Sequence, residues 1–224
     1  MIGLVIEQNQ VSYTGNYAKP PFKLWGQGGT ILSGLCDAFG SFNVTLAHLR
    51  VEGAGSQSPL DQAVNVAFGT KGIYRFRFDK VESTFVNFTD EDLAMLPGIL
   101  AAGEDWLRKA VPELRFQSHQ IQYGSHSRPS EGTIDELLQR VVKTDLEISG
   151  GSLKAGVILK WIEPENGWVV QMTLDYSQFV ENGLFLWFGI TISADRLNFR
   201  EVAAGARSLL DNRLGQLGLS ISTS

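Results

Sequence analysis

The sequence predicts an α+β fold of antiparallel sheets with helices packed on one face. Three observations lead there. In Tyr74-Arg75-Phe76-Arg77-Phe78-Asp79 aromatics and charges alternate strictly, the period-two signature of a strand with one dry and one wet face. Apolar runs come in pairs around turn-forming residues. Runs 63–68 and 73–79 flank Gly69-Thr70-Lys71-Gly72, and runs 155–162 and 168–176 flank Glu163-Pro164-Glu165-Asn166-Gly167, both with hairpin spacing. Finally, Thr89-Asp90-Glu91-Asp92 and Thr133-Ile134-Asp135-Glu136 carry a hydroxyl followed by acids. That chemistry satisfies the free N–H groups of a helix start and suits its dipole.

Taken in order, residues 2–6 and 11–13 predict a small hairpin. Residues 16–25 follow as an apolar arm, because the pair Pro20-Pro21 favours extended backbone over helix. Ile31, Leu32, Leu35 and Phe39 recur at helical spacing, giving a short amphipathic helix over 30–39. Residues 43–51 predict a strand, and 53–59 a Gly- and Ser-rich loop. After the 63–68 and 73–79 hairpin comes a third strand over 84–88. A helix opens at Thr89 and runs to about Ala110 despite Pro97, with Pro112 closing it. Residues 114–123 predict a strand and 124–132 a polar loop. The helix opened at Thr133 extends to about Lys143, with Ile134, Leu137, Leu138 and Val141 on one face. Gly150 and Gly151 reset the chain. After the second hairpin, residues 184–192 form a third strand. Ser193-Ala194-Asp195 opens a helix to about Leu214, and residues 217–222 close the chain as a strand.

The order strand, strand, strand, helix, strand therefore occurs twice. Ala101-Ala102-Gly103 in one long helix is echoed by Ala203-Ala204-Gly205 in the other, and Leu107 by Leu209. The expectation is an internal duplication of a strand-strand-strand-helix-strand unit. The organisation follows: an N-terminal arm and short helix over 1–42, a first sheet-plus-helix half over 43–150, and a second over 151–224, the halves forming one continuous domain. Glycine inside a helix costs roughly 0.5–1 kcal/mol relative to alanine, so Gly103 and Gly205 imply close packing.

Composition narrows the function. The 224 residues are 43% hydrophobic, enough for a sizeable core without staples. A net charge of −5 with no basic run argues against a nucleic-acid surface and against attraction to anionic membranes. The single cysteine, Cys36, precludes an intramolecular disulfide and a cysteine zinc cage. The first residues lack a basic start, and no apolar run approaches the roughly 20 residues of a spanning helix, so the reading is cytoplasmic.

No catalytic constellation stands out. There is no G-x-S-x-G elbow, and Gly26-Gln27-Gly28-Gly29-Thr30 lacks a Walker lysine. No cofactor or metal set is expected. His119, read as a strand residue facing solvent, and His126 and Arg128, read as loop residues, are the weak polar-site candidates. The aromatic surplus is the stronger signal. Trp25 anchors the arm, Trp161 and Trp168 flank one turn, and Trp187 lies on a strand apolar on both faces, which must be covered on both. These four are the ligand or interface candidates. The sequence thus points to a non-catalytic protein-binding or assembly protein, with self-association, a homodimer, as one form. The alternative is a small-molecule binding protein or enzyme using an apolar cavity between a curved sheet and its helices.

Overall fold

A computed structural model describes residues 1–56, 58–141 and 156–222. The expected continuation of the 134–141 helix to Lys143, the reset at Gly150 and Gly151, and the strand start at Ala155 lie outside the described residues. In chain order the elements are β1 (Ile2–Tyr17), α1 (Phe22–Trp25), α2 (Gly28–Ala38), β2 (Leu49–Glu52), β3 (Ala63–Phe68), β4 (Gly72–Arg77), β5 (Lys80–Val86), α3 (Asp90–Ala110), β6 (Phe116–Pro129), α4 (Ile134–Val141), β7 (Val157–Ile162), β8 (Val169–Tyr176), β9 (Leu184–Ile192), α5 (Phe199–Gln216) and β10 (Leu219–Ser222). The fold is α+β. Strand order is β2-β3-β4-β5-β1-β6-β9-β8-β7, with β10 paired in parallel to the first residues of β1. The meanders β2–β3–β4–β5 and β7–β8 are antiparallel.

Two compact units divide the chain. Unit 1 comprises Met1–Gln10, Gln122–Ile190 and Ala204–Ser224, and unit 2 comprises Val11–Ile121 and Thr191–Ala203. In unit 2 the period-two reading of β4 holds. Tyr74 and Phe76 are buried in register with Val66 and Val64 of β3, while Arg75 and Arg77 take the other face. That face is tied by polar contacts, Arg75 to Asn65 and Glu52, and Arg77 and Lys80 to Glu82. α2 and α3 cover the dry face with Ile31, Leu35, Ile99, Leu100 and Leu107. The N-terminal signal of α3 works as expected: Thr89 Oγ1 accepts the Asp92 N–H, and Asp92 accepts the Thr89 N–H.

In unit 1 the buried side chains of β8 (Val170, Met172, Leu174) and β9 (Leu184, Leu186, Phe188, Ile190) share one face. α4 packs on β8 there, and α5 lays Arg213 over the Trp161 ring, 5.1 Å from its centroid.

Five expectations are corrected. Residues 2–6 and 11–13 are one sixteen-residue strand, not a hairpin. Glu7, Gln8 and Gln10 are exposed, so this stretch carries no apolar alternation and the strand reads as two pieces in the sequence. The arm over 16–25 is not extended throughout. It leaves β1 at Tyr17, and the Pro pair precedes the helical turn α1, where proline's fixed φ is harmless. Residues 43–51 are mostly tight turns, with Asn43 in the left-handed region (φ 60°), and only Leu49–Glu52 pair. The loop over 124–132 is largely strand, since β6 runs to Pro129. Finally, α5 starts at Phe199, because Asp195 is used elsewhere as an acceptor.

The mid-helix glycines test the packing. A Cβ at Gly103 would lie 2.6 Å from the hydroxyl of Tyr74, a ring 1% exposed that has no room to move. Gly103→Ala should therefore destabilise by about 1–3 kcal/mol despite alanine's better helix propensity. Gly215→Ala in α5, where a Cβ meets nothing within 4 Å, should instead gain up to about 1 kcal/mol. Urea unfolding of both variants checks the opposite signs.

Candidate interaction site

Alternation places the other face of unit 1's strands in the open. With Val170, Met172, Leu174, Leu186 and Phe188 turned inward, Val169, Phe185 and Trp187 point to the opposite side. The register of β7 on β8 pairs Ile162 with Val169 and Ile158 with Thr173, so the isoleucines share that side. Ile158 is 62% exposed, Ile162 67% and Val169 53%. Trp187 is half-buried, its indole lying across Gly189, where any Cβ would strike the ring. From β6, His126 stacks on Phe185 with centroids 5.0 Å apart. Two residues on, Arg128 pairs with Glu7 of β1 at 3.3 Å. Three separately chosen candidates, Trp187, His126 and Arg128, thus come to one sheet face.

Phe179 completes the patch. It meets His126 edge to face at 4.9 Å and is 72% exposed. Its loop is held at several points. The Ser177 N–H donates to the Gly183 carbonyl, and Asn182 accepts the Ile134 N–H at the start of α4. Ser177 Oγ accepts the N–H groups of Phe179 and Val180, which leaves its own proton for His126 Nδ1, 2.9 Å away. His126 is then neutral with its proton on Nε2, consistent with burial lowering its pKa. An exposed phenylalanine on a loop tethered this way is presented, not loose. The sequence reading passed over it; Asn182-Gly183 was the available turn signal.

The remaining tryptophans are engaged within their own units. Trp161 Nε1 donates to Glu163, which Arg213 also approaches. The Trp168 ring sits against Gly205 of α5. Trp25 stacks on Phe76 at 4.9 Å, the rings nearly parallel, against the unit 2 core.

His119 does not face solvent. It is fully buried, its Nδ1 2.7 Å from the Tyr13 hydroxyl, between Phe116 and Phe199. His119 and His126 therefore sit in separate surroundings, one in each unit. Beside His119 lies a polar network that the sequence did not reveal. Arg108 of α3 donates to Glu104, to the Leu114 carbonyl and to the Asp195 carbonyl, and Asp195 Oδ1 accepts the Phe116 N–H. Burial raises the Glu104 pKa, partly offset by Arg108. For Asp195 burial pushes up, but the Phe116 N–H and Arg108 together hold its carboxyl below the ordinary range.

Among the described residues no three His, Cys, Asp or Glu side chains gather to hold a metal ion, and no helix is long and apolar enough to cross a membrane. Compared with known proteins, the chain matches no family model, and no curated sequence matches it significantly.

Burial depresses the His119 pKa to about 4, despite the nearby Ala194 and Asp195 carbonyls. The unfolded chain then binds a proton near pH 6.5 that the folded chain refuses until about pH 4, so stability falls as pH drops through that window. The loss is on the order of 3 kcal/mol. His119→Leu removes that pH dependence while lowering stability at pH 7, because the Tyr13 hydroxyl loses its partner. Urea unfolding at pH 7 and pH 4.5 measures both effects.

Proposed function

We propose that this chain is a non-catalytic protein-binding or assembly protein, that the open face of unit 1 is its contact surface, and that its first partner is a second copy of itself. The observations that carry the reading are Phe179, 72% exposed on an anchored loop against His126, and the exposed Ile158, Ile162 and Val169 along β7 and β8. Large apolar side chains displayed to water in such number mark interaction sites. Aromatic anchors are the side chains that dominate interface energy.

The sheet edge favours a second copy. β7 ends the strand order, and Ile158, Leu159 and Ile162 are exposed along it. Free edges are normally blunted by charges or by shortness. The opposite end, β2, has both: four residues including Arg50 and Glu52. β7 has one charge, Lys160. Antiparallel pairing of β7 with its own copy, centred on Leu159, sets Lys160 opposite Ile158 rather than another lysine. Such an isologous pair joins both open faces into one surface.

Light scattering after size exclusion tests the reading. Wild-type protein at tens of micromolar should exceed the 24.6 kDa of one chain. Ile158→Lys and Phe179→Ser, both at exposed positions, should each shift the mass towards one chain with the thermal midpoint nearly unchanged. A wild-type mass of one chain at about 100 μM, a concentration at which even micromolar affinities saturate, would overturn self-association through this face.

A further inference from the structure

Unit 2 carries an open cleft. Its volume is about 530 Å³, and its walls are Pro97, Gly98 and Ala101 of α3 and the 196–200 segment that leads into α5. The floor is apolar. Phe199 is buried, edge-on to Tyr13 at 5.5 Å, and Leu197 packs against the same core. Gly98 and Ala101 leave α3 without bulk where the cleft opens. The rim is cationic. Arg196 and Arg200 are exposed, and no carboxylate lies within ion-pair reach of either among the described residues. Nearby Arg108 and Arg115 both face Asp195. No acidic side chain lines the cleft, in a chain whose net charge is −5.

The cationic wall is also held in place. Asp195 takes the Phe116 N–H and the Arg108 guanidinium, and the Arg108 guanidinium grips the Asp195 carbonyl as well. On the other side, Asn198 accepts the Glu201 N–H through its side chain and the Val202 N–H through its carbonyl. A preorganised wall spares a ligand the cost of ordering it. Guanidinium groups hold carboxylates in paired, planar geometry.

We propose that this cleft binds a small amphiphilic organic anion: a carboxylate held by Arg196 and Arg200, and a flat apolar body laid on Phe199 and Leu197. The cleft has room for a flat two-ring body such as naphthyl, and sites of this kind combine an apolar floor with a few placed polar groups.

Titration of the isotope-labelled protein with naphthalene-2-carboxylate, followed by amide chemical shifts in physiological salt, tests the site. Saturable shifts should centre on residues 97–101 and 196–200, with a dissociation constant of about 1 mM or tighter. Naphthalene-2-carboxamide, which keeps the body and loses the charge, should bind at least about tenfold more weakly, and acetate, which keeps the charge and loses the body, likewise. Arg196→Gln with Arg200→Gln should reduce naphthalene-2-carboxylate binding to the level of the amide while leaving other amide shifts and the thermal midpoint in place. Equal binding of acid and amide, indifference to the double substitution, absence of saturable shifts, or shifts confined to other residues would each overturn the proposal. Self-association through unit 1 is read separately by mass, so the two proposals stand or fall independently.

Discussion

Unit 2 hangs on one guanidinium. Arg108 is 13% exposed, and its donors reach Glu104 one helical turn back, the Leu114 carbonyl at the entry to β6, and both the carbonyl and the carboxylate of Asp195. A charge so placed is tolerated only if its hydrogen bonds are met, and removing a partner from a buried pair costs about 3–5 kcal/mol. The face of the guanidinium also lies over Phe116. In this way a single side chain on α3 fixes where β6 begins and where the chain turns into α5. His119 and Phe199 pack together beside it, and Arg196 and Arg200 take their positions from the segment it holds.

The two units treat the second face of a sheet differently. In unit 2 that face is crossed by Arg75, Arg77, Lys80, Glu52 and Glu82, whose partly exposed ion pairs add little stability, typically under about 1 kcal/mol each. Their effect is to keep the face wet and unattractive to other surfaces. In unit 1 the corresponding face holds Ile158, Ile162, Val169, Phe185 and Trp187 with Lys160, Gln171 and Thr173 among them, and its His126 and Arg128 are engaged by Ser177 and Glu7. Local folding does not require apolar groups at these exposed positions. The proposed contact does, and this contrast is what supports it.

What was legible in the sequence is what side-chain period and local hydrogen bonding write into short stretches. The β4 alternation, the Thr89–Asp92 cap and the limits of β9 all appear where expected. What was not legible depends on distant partners. The second half of β6 buries Ser125 and Ser127 on its inner face, so hydrophobic alternation is silent there and the strand looks like a loop. His119 is buried because Tyr13, 106 residues away, supplies a hydroxyl. Asp195 looks like a helix cap, yet it serves the Phe116 N–H and Arg108. For the interaction site, Trp187, His126 and Arg128 were each recognisable as candidates, but only the sheet brings them to one face. Phe179 carried no periodic signal at all.

The central claim is that unit 1's open face is covered in the working protein. Amide hydrogen exchange measured at low and high micromolar protein concentration tests it most directly, because a strand edge that pairs with a second chain gains slow-exchanging amides. The account predicts protection rising with concentration in Val157–Ile162 and in the 177–183 loop, with the charged face of β3 and β4 unchanged. Exchange independent of concentration throughout unit 1, or protection gained on the charged face instead, would contradict it.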